Sequence, residues 1–317
     1  MKLTTISVLV LAACSSDLDL SVAEQAGQNL NGQNLNGQNL NGQNLNGQNL
    51  NGQNLNGPDN ATFAIWTSLD GVSHHGSTYD EVTLRATVFT GRKGGMTRTG
   101  TAFAGAHFLA QRGNGDATLM RITSVVPPAD GASLWRYHVE YLETDWSWYP
   151  ICEDASGPLA AIPVDGIWDH RQGVPGGGSY LRDPNKFTFA CENVSSIAKC
   201  VQMGYAPWQT LDGVPLDDHL AACVRLLRAD YCGDGRSFTQ DGVIVNLYDA
   251  LGIEVDTDDW GIEAEWDRDG ARCLTSRHRS PVAVPCYDPS RELGCGDPAH
   301  FSSGTLLVSE MPATAEH

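Results

Sequence analysis

The nine cysteines of this 317-residue chain constrain its fold more than any other feature. Cys14 lies near the N-terminus, and the other eight lie between residues 152 and 295. These eight are Cys152, Cys191, Cys200, Cys223, Cys232, Cys273, Cys286 and Cys295. Because an even number of cysteines in an exported chain is typical of a disulfide framework, we expect four bridges, whose pairing the sequence does not choose. The alternative, a structural zinc site, lacks any Cys-x2-Cys or His-x3-His pair to support it.

The first fourteen residues indicate export. Met1 and Lys2 precede an apolar stretch that ends at Leu11, and two alanines separate that stretch from Cys14. This order predicts a signal peptide over residues 1–13. The run Leu11-Ala-Ala-Cys14 resembles the lipobox of bacterial lipoproteins, which implies an acylated Cys14 held in a membrane. Ser15 follows where a retention aspartate would stand, so the resemblance implies the outer membrane or cell surface; a plain secretory signal is the alternative.

A perfect repeat follows the signal. Residues 14–27 are predicted to form a lipidated tether, and residues 28–57 repeat Gln-Asn-Leu-Asn-Gly six times. The leucines recur every five residues, a period of neither a helix nor a simple strand. The repeat resembles pentapeptide-repeat proteins, which implies a β-solenoid, whereas its composition is that of a flexible spacer. On either interpretation it holds the following body away from the membrane.

Charge limits the partners of the body. The chain has a net charge of −18, and no basic run is longer than the pair Arg92-Lys93. Nucleic-acid binding depends on neutralising phosphates with basic side chains, so we expect no nucleic-acid partner. No segment after the signal is apolar and long enough to span a bilayer.

Residues 58–190 have the periodicity of strands. In the segment 134–142, Tyr137, Val139 and Tyr141 alternate with Arg136, His138 and Glu140, which predicts a half-buried strand. The segment 81–89 alternates in the same way. Strands are predicted at 61–68, 81–89, 101–110, 118–126, 134–142, 146–151, 160–168 and 186–191. Turn residues separate them at the spacing of an antiparallel sandwich or barrel.

Residues 191–310 form a cysteine-rich region with one main helix at about 215–232. Pro215 suits a first helical turn, Asp217 and Asp218 oppose the positive end of the helix dipole, and Gly233 provides a left-handed cap. One apolar stripe comprises Leu216, Leu220, Cys223, Val224, Leu227 and Tyr231. The overall class is therefore α+β and rich in β-structure.

Two cysteines of this helix cannot pair with each other. Cys223 and Cys232 would lie about 13 Å apart on a continuous helix, beyond the roughly 7 Å between Cα atoms that a disulfide allows. Each is therefore expected to bond elsewhere and to staple the helix to other segments.

The segment Ala222–Gly235 resembles the ADYC domain of secreted bacterial proteins, with Ala229-Asp230-Tyr231-Cys232 as the signature itself. The resemblance extends to Ala198–Trp208 and Thr239–Gly242, and it covers about residues 100 to 300. It implies export and a common fold, and it transfers no catalytic residue because no activity is established for the family.

Two catalytic interpretations concern the same region. Cys232 and His219 could form a nucleophile pair, but cysteine parity and helix capping favour a disulfide cysteine and a solvent-facing histidine. A secreted hydrolase of glycans or peptides would instead need converging carboxylates. The candidates are Asp217, Asp218, Asp230, Asp234 and Asp241.

Two further patterns suggest binding. Asp256, Asp258 and Asp267 match positions 1, 3 and 12 of a calcium-loop template, whereas Trp260 at position 5 cannot ligate, so a solvated acidic loop is the preferred interpretation and no cofactor is expected. Trp146 and Trp148 place two indoles on one predicted strand face, either as a stacking platform for sugars or as core residues.

The strongest features of the sequence concern where the protein is located and how its fold is made rigid. The sequence therefore predicts a surface-tethered lipoprotein whose body is an extracytoplasmic binding or structural module for a glycan or protein ligand. The hydrolase is the alternative, and the oligomeric state is left open.

Overall fold

The computed structural model describes residues 64–112, 115–129, 133–154, 156–239, 243–257, 259–297 and 299–312. The predicted signal peptide, Cys14, the tether and the repeat lie outside these residues and stay predictions. In the described part of the chain, no helix is long and apolar enough to cross a membrane.

The described residues contain 22 strands and two α-helices. The first sixteen strands are β1 (Ala64–Ser68), β2 (Ser73–His74), β3 (Ser77–Thr78), β4 (Asp80–Arg85), β5 (Val88–Lys93), β6 (Met96–Thr99), β7 (His107–Arg112), β8 (Ala117–Val126), β9 (Arg136–Leu142), β10 (Trp148–Pro150), β11 (Glu153–Asp154), β12 (Gly157–Pro158), β13 (Ala161–Asp165), β14 (Ile167–Trp168), β15 (Tyr180–Leu181) and β16 (Lys186–Cys191). The remaining elements are α1 (Ser196–Met203), β17 (Thr210–Leu211), β18 (Val214–Pro215), α2 (Asp217–Arg228), β19 (Asn246–Asp249), β20 (Gly261–Asp267), β21 (Gly270–Leu274) and β22 (Leu307–Met311).

Six of the strands close into an antiparallel barrel. The order around the ring is β1, β16, β13, β9, β8 and β7, and β7 pairs again with β1. Closure leaves none of these six strands at an open edge. The predicted class, β-rich α+β with an antiparallel sandwich or barrel, is confirmed in its barrel form.

Aromatic rings fill the barrel, and one of them comes from outside the six strands. Phe89 of β5 is fully buried, and its ring centroid lies 5.2 Å from that of Phe108, 5.1 Å from Tyr137 and 5.0 Å from Phe187. Such tilted and edge-on pairs are favourable ring geometries. The three-stranded sheet β4, β5 and β6 is thereby fastened to the barrel.

The strand predicted at 81–89 is instead a hairpin. β4 and β5 pair antiparallel around Ala86, whose φ of 53° is left-handed, and Thr87. Thr87 is fully buried: its hydroxyl accepts from the Trp135 N–H at 2.7 Å, and its carbonyl accepts from the Tyr137 hydroxyl at 2.9 Å. Apolar and polar residues keep alternating across this two-residue turn, so the sequence pattern looks like that of one continuous strand. The prediction failed because contacts distant in sequence, rather than a Gly or Asn, form this turn.

A second core lies against the outside of the barrel. α2 packs on the four-stranded sheet β19, β22, β20 and β21, and α1 packs on α2 and β16. Ile162 and Val164 of β13 and Ala190 of β16 are buried in this core, whereas Phe187 and Phe189 of β16 are buried in the barrel. β13 and β16 are thus covered on both faces, and they form a wall shared by the two cores.

The main helix is shorter than predicted. It begins at Asp217 and ends at Arg228, since Pro215 belongs to β18. Ala229, not Gly233, is the left-handed residue at its end, with φ of 52°. The N–H groups of Ala229 and Asp230 donate to the carbonyls of Leu226 and Arg225, the pattern of a Schellman motif. The whole predicted apolar stripe is buried.

All eight cysteines after residue 150 form disulfides. The pairs are Cys152–Cys191, Cys200–Cys223, Cys232–Cys286 and Cys273–Cys295. As predicted, Cys223 and Cys232 bond elsewhere: one joins α2 to α1, and the other joins the end of the helix region to a later loop. Four disulfides are consistent with an oxidising compartment outside the cytoplasm.

Candidate functional site

The segment Ala229–Cys232 directly follows α2, and each of its four residues has a structural contact. Ala229 ends the helix and Cys232 is bonded to Cys286. Asp230 is fully buried and Tyr231 is only 2% exposed. Ala229, Asp230 and Tyr231 therefore lie in the core, whereas Cys232 is partly exposed and, with Tyr231, borders a second open pocket of about 340 Å³.

A buried ion pair fixes the turn after the helix. The Asp230 carboxylate contacts the Arg225 guanidinium, and both side chains are almost inaccessible to solvent. Arg225 also donates to the Gly177 carbonyl at 2.6 Å and to the Ser179 hydroxyl at 3.0 Å. A buried charge without a partner is very costly, so these hydrogen bonds are what allows an arginine inside this core.

The same carboxylate orders the turn that contains Gly235. Asp230 accepts from the backbone N–H groups of Asp234 and Gly235, at 3.2 and 3.0 Å. A Cβ atom on Gly235 would lie 2.1 Å from the Arg171 carbonyl oxygen, and one on Gly177 would lie 2.4 Å from that of Asp234. Only glycine fits at either position. Two loops distant in sequence thus meet backbone to backbone over the ion pair.

Tyr231 belongs to a second buried network. Its hydroxyl donates to the Glu263 carboxylate at 2.6 Å, and Glu263 accepts from the Ser309 hydroxyl at 2.7 Å. The Arg279 guanidinium lies 3.3 Å from Glu263 and donates to the Leu226 carbonyl at the end of α2. Burial, and then the neighbouring Glu263 charge, raise the pKa of Tyr231 well above its usual value. The sequence analysis missed Glu263 and Arg279, because neither belongs to a local motif.

Three of the four described carboxylates proposed for a hydrolase are engaged in ion pairs. Asp230 pairs with Arg225, Asp234 pairs with Arg236, and Asp218 pairs with Arg268. Asp217 stands in the first turn of α2, where it favours the helix dipole. Asp241 lies outside the described residues.

Cys232 and His219 do not form a nucleophile pair. Cys232 is in a disulfide, as preferred above, but the expectation of a solvent-facing His219 was wrong. His219 is 4% exposed, and its ring stacks on that of Tyr205 with centroids 6.3 Å apart. Burial lowers the pKa of His219 below its usual value. From His219 to Arg228 every residue of α2 is buried, so this histidine faces protein rather than water.

The calcium-loop template does not describe the segment 256–267. Its second half, residues 261–267, is the strand β20. A strand extends by about 3.3 Å per residue and does not curl around a cation as a calcium loop does. Asp256 accepts from the Asn246 amide at 2.9 Å, and Asp267 lies 3.5 Å from Arg272. Asp258 lies outside the described residues. Among the side chains that the structure describes, no group of three or more His, Cys, Asp or Glu is arranged to hold a metal.

An acidic pair that the sequence analysis missed lies in the loop after β19. Asp249 accepts from the Tyr205 hydroxyl at 2.6 Å and from the backbone N–H groups of Leu251 and Glu254 at 2.6 and 2.9 Å. Glu254 is 6% exposed. Burial, reinforced by the Asp249 charge, raises the pKa of Glu254 to about 7. The hydrogen bonds of Asp249 show that it orders this loop, and no sequence motif indicated this role.

The structure does not place Trp146 and Trp148 on one strand face. Trp146 has a left-handed φ of 66° in the turn between β9 and β10, where 82% of it is exposed. Trp148 lies on β10, on the outside of the barrel. The Arg121 guanidinium lies 4.2 Å from the centroid of its ring, and the His107 ring meets it edge-on at 5.8 Å. Of these two tryptophans, Trp148 therefore packs on neighbouring side chains of the barrel surface, whereas Trp146 projects into solvent.

That surface contains an open groove of about 630 Å³. We call it the outer groove; its lining comprises Ser73, His75, Gly76, Gly105, His107, Leu119, Arg121, Ile122 and Thr123. Leu119 pairs across the strands with Leu109, and the two are 41% and 48% exposed. The groove combines apolar surface with a few polar groups, as small-molecule sites do. The sequence carried no signal for it, since its residues come from three separate segments.

A family model described as the ADYC domain matches residues 100–280, more than half of the chain. The matched residues include the barrel strands from β7 to β16, both helices and the buried turn at 229–235. The match confirms the resemblance that was based on Ala229–Cys232. Searches of curated proteins and of solved structures returned no match.

Asp230→Asn is expected to lower the free energy of unfolding by about 3–5 kcal/mol, because it leaves the Arg225 charge buried without its partner. Asp218→Asn is the matched control: its ion pair with Arg268 is solvent-exposed, so we expect a loss below about 1 kcal/mol. Urea denaturation monitored by tryptophan fluorescence measures both values. Equal, small losses in the two variants would contradict the structural role of Asp230.

Glu254 gives the fold a pH dependence. Between its usual pKa of 4.5 and its folded value of about 7, the unfolded chain has lost this proton while the folded chain keeps it. The free energy of unfolding therefore falls as pH rises through this window. In the native chain we expect Glu254 to lower the free energy of unfolding by on the order of 2 kcal/mol between pH 4.5 and pH 8, and Glu254→Gln should remove this decrease. The measurement is the free energy of unfolding at the two pH values. Glu153→Gln, an exposed control, should leave the slope unchanged, and an unchanged slope in Glu254→Gln would contradict the assignment.

Proposed function

The chain belongs to the ADYC domain family, and we propose that it is a lipid-tethered, extracytoplasmic binding module that takes a saccharide in the outer groove. The observation that carries this proposal is the contrast between two regions. Three signature residues, Ala229, Asp230 and Tyr231, are buried and Cys232 is in a disulfide, whereas the outer groove is open and lined by apolar and hydrogen-bonding groups.

The walls of the outer groove suit a sugar. Saccharides offer apolar C–H faces and many hydroxyls, and they bind where an aromatic or aliphatic surface adjoins polar groups. Leu119 provides apolar surface, Trp148 flanks the groove through Arg121 and His107, and Ser73 and Thr123 add hydroxyls. The antiparallel pairing of β7, β8 and β9 holds these side chains on a rigid support.

The tether follows from the N-terminal residues. Acyl chains on Cys14 would each add about 0.8 kcal/mol of membrane affinity per buried methylene, and several chains together hold a protein firmly. Residues 15–57 would then connect the anchor to the body. The four disulfides support an extracytoplasmic location.

Cys14→Ala tests the anchor. Because this substitution removes the thiol that carries the lipid, we expect the protein to move from the membrane fraction to the soluble fraction and to lose incorporation of labelled palmitate. Ser15→Ala is the control and should behave as the native chain. Membrane retention and acylation of the Cys14→Ala chain would contradict the proposal.

Binding to a panel of soluble oligosaccharides, neutral and acidic, tests the groove. We expect saturable binding of at least one class, weakened about tenfold by Trp148→Ala, because this substitution removes the ring on which the lining residue Arg121 packs. Leu181→Ala removes a side chain of a residue that is 64% exposed on β15, outside the groove lining, and should have no effect.

Three results would contradict this use of the groove. They are absence of binding across the panel, binding that survives both Trp148→Ala and Leu119→Lys unchanged, and hydrolysis of a panel member. The last result would favour the hydrolase alternative.

A further inference from the structure

Among the residues that the structure describes, no carboxylate lines the outer groove, in a chain whose net charge is −18. The ionisable lining residues are His75, His107 and Arg121. They come from the turn between β2 and β3, from the start of β7 and from β8. A site lined without carboxylates repels an anionic ligand less than the remaining acidic surface of this protein does.

Two further basic side chains, Lys93 and His74, stand beside the lining. The Lys93 ammonium lies 3.3 Å from the ring nitrogen Nδ1 of His74 and also donates to the His74 carbonyl. The His74 ring reaches Gly105 in the groove wall, where a Cβ atom would lie 3.1 Å from its Nε2. Burial, and then the charges of His75, Lys93 and His107, hold the pKa of His74 below its usual value. These groups are therefore close enough to repel one another.

An acidic group adjoins the cluster from the neighbouring strand. The Glu140 carboxylate of β9 pairs with Arg121 at 2.5 Å, and the Arg121 guanidinium also lies over the Trp148 ring. Tyr79, a neutral phenol, lies beside Lys93 and His74. Because Glu140 offsets the charge of Arg121, the hydrogen-bond donors that remain in the lining for an anionic group include the His75 and His107 rings.

His75 is held in place by its turn. It occupies the first of two left-handed positions, with φ of 49°, and Gly76 occupies the second, with φ of 73°. Two such residues form the two-residue hairpin turn that joins β2 to β3. Asn is preferred at such a position, so His75→Asn removes the titratable ring without disturbing the turn.

We propose that the outer groove binds a saccharide bearing a carboxylate, such as a uronic acid, and that the His75 and His107 rings donate hydrogen bonds to that carboxylate. This inference rests on the proposed function and names its ligand class. The sugar ring packs on Leu119 beside Trp148, and its carboxylate faces His75 and His107.

Calorimetric titration of the full chain tests the inference. The probes are trigalacturonate and its fully methyl-esterified form. We expect the acid to bind about tenfold more tightly than the ester. The double variant His75→Asn/His107→Gln should lose most of this preference for the acid. His138→Gln, a histidine of β9 outside the groove lining, should retain it.

The possible failures are distinguishable. Equal binding of acid and ester, or a preference for the acid that survives His75→Asn/His107→Gln, overturns the carboxylate inference and leaves the binding module standing if Trp148→Ala still weakens binding. Absence of trigalacturonate binding, with binding of another panel saccharide, overturns the inference alone. Absence of binding to every panel member overturns the proposed function as well.

Discussion

The structure depends on a buried ion pair between the last turn of α2 and the residues just after it. Arg225 and Asp230 are withdrawn from water, and each finds its remaining partners in backbone and hydroxyl groups of two other segments. Replacing such a pair by apolar residues is often neutral for stability, but losing one partner is severe. The pair therefore acts as a constraint on geometry: the helix end, the loop of Gly177 and the turn of Gly235 have to meet in one arrangement.

The wall that the two cores share connects the core around this ion pair to the barrel, which carries the outer groove. β13 and β16 are packed by helices on one face and by barrel rings on the other, and the Cys152–Cys191 disulfide joins β16 to the loop after β10. β10 in turn carries Trp148. The signature segment contributes no residue to the lining of the outer groove, which separates the residues that define the family from those that would contact a ligand.

Local rules predicted much of the fold and little of the site. The stripe of α2, the strand at 134–142 and the inability of Cys223 to bond Cys232 follow from periodicity and helix dimensions, and the structure has all three. The turn at Ala86 and the helix end at Ala229 escaped prediction because partners far along the chain stabilise left-handed alanines there. His219 was misplaced for a related reason, since amphipathic patterning does not reveal a helix that is covered on every side. The outer groove joins residues from β2, β7 and β8, a neighbourhood that exists only after the barrel closes.

Native-state hydrogen exchange tests the central claim most directly. If the signature turn is the constraint on which the body depends, the amides of Asp230 and Gly235, which donate to the Arg225 carbonyl and the Asp230 carboxylate, exchange only through global unfolding. Their exchange free energies then equal the free energy of unfolding from denaturation, whereas the Trp146 amide in the exposed β9–β10 turn exchanges at a far lower value. Exchange of Asp230 and Gly235 through local opening, several kcal/mol below the global value, would contradict the account.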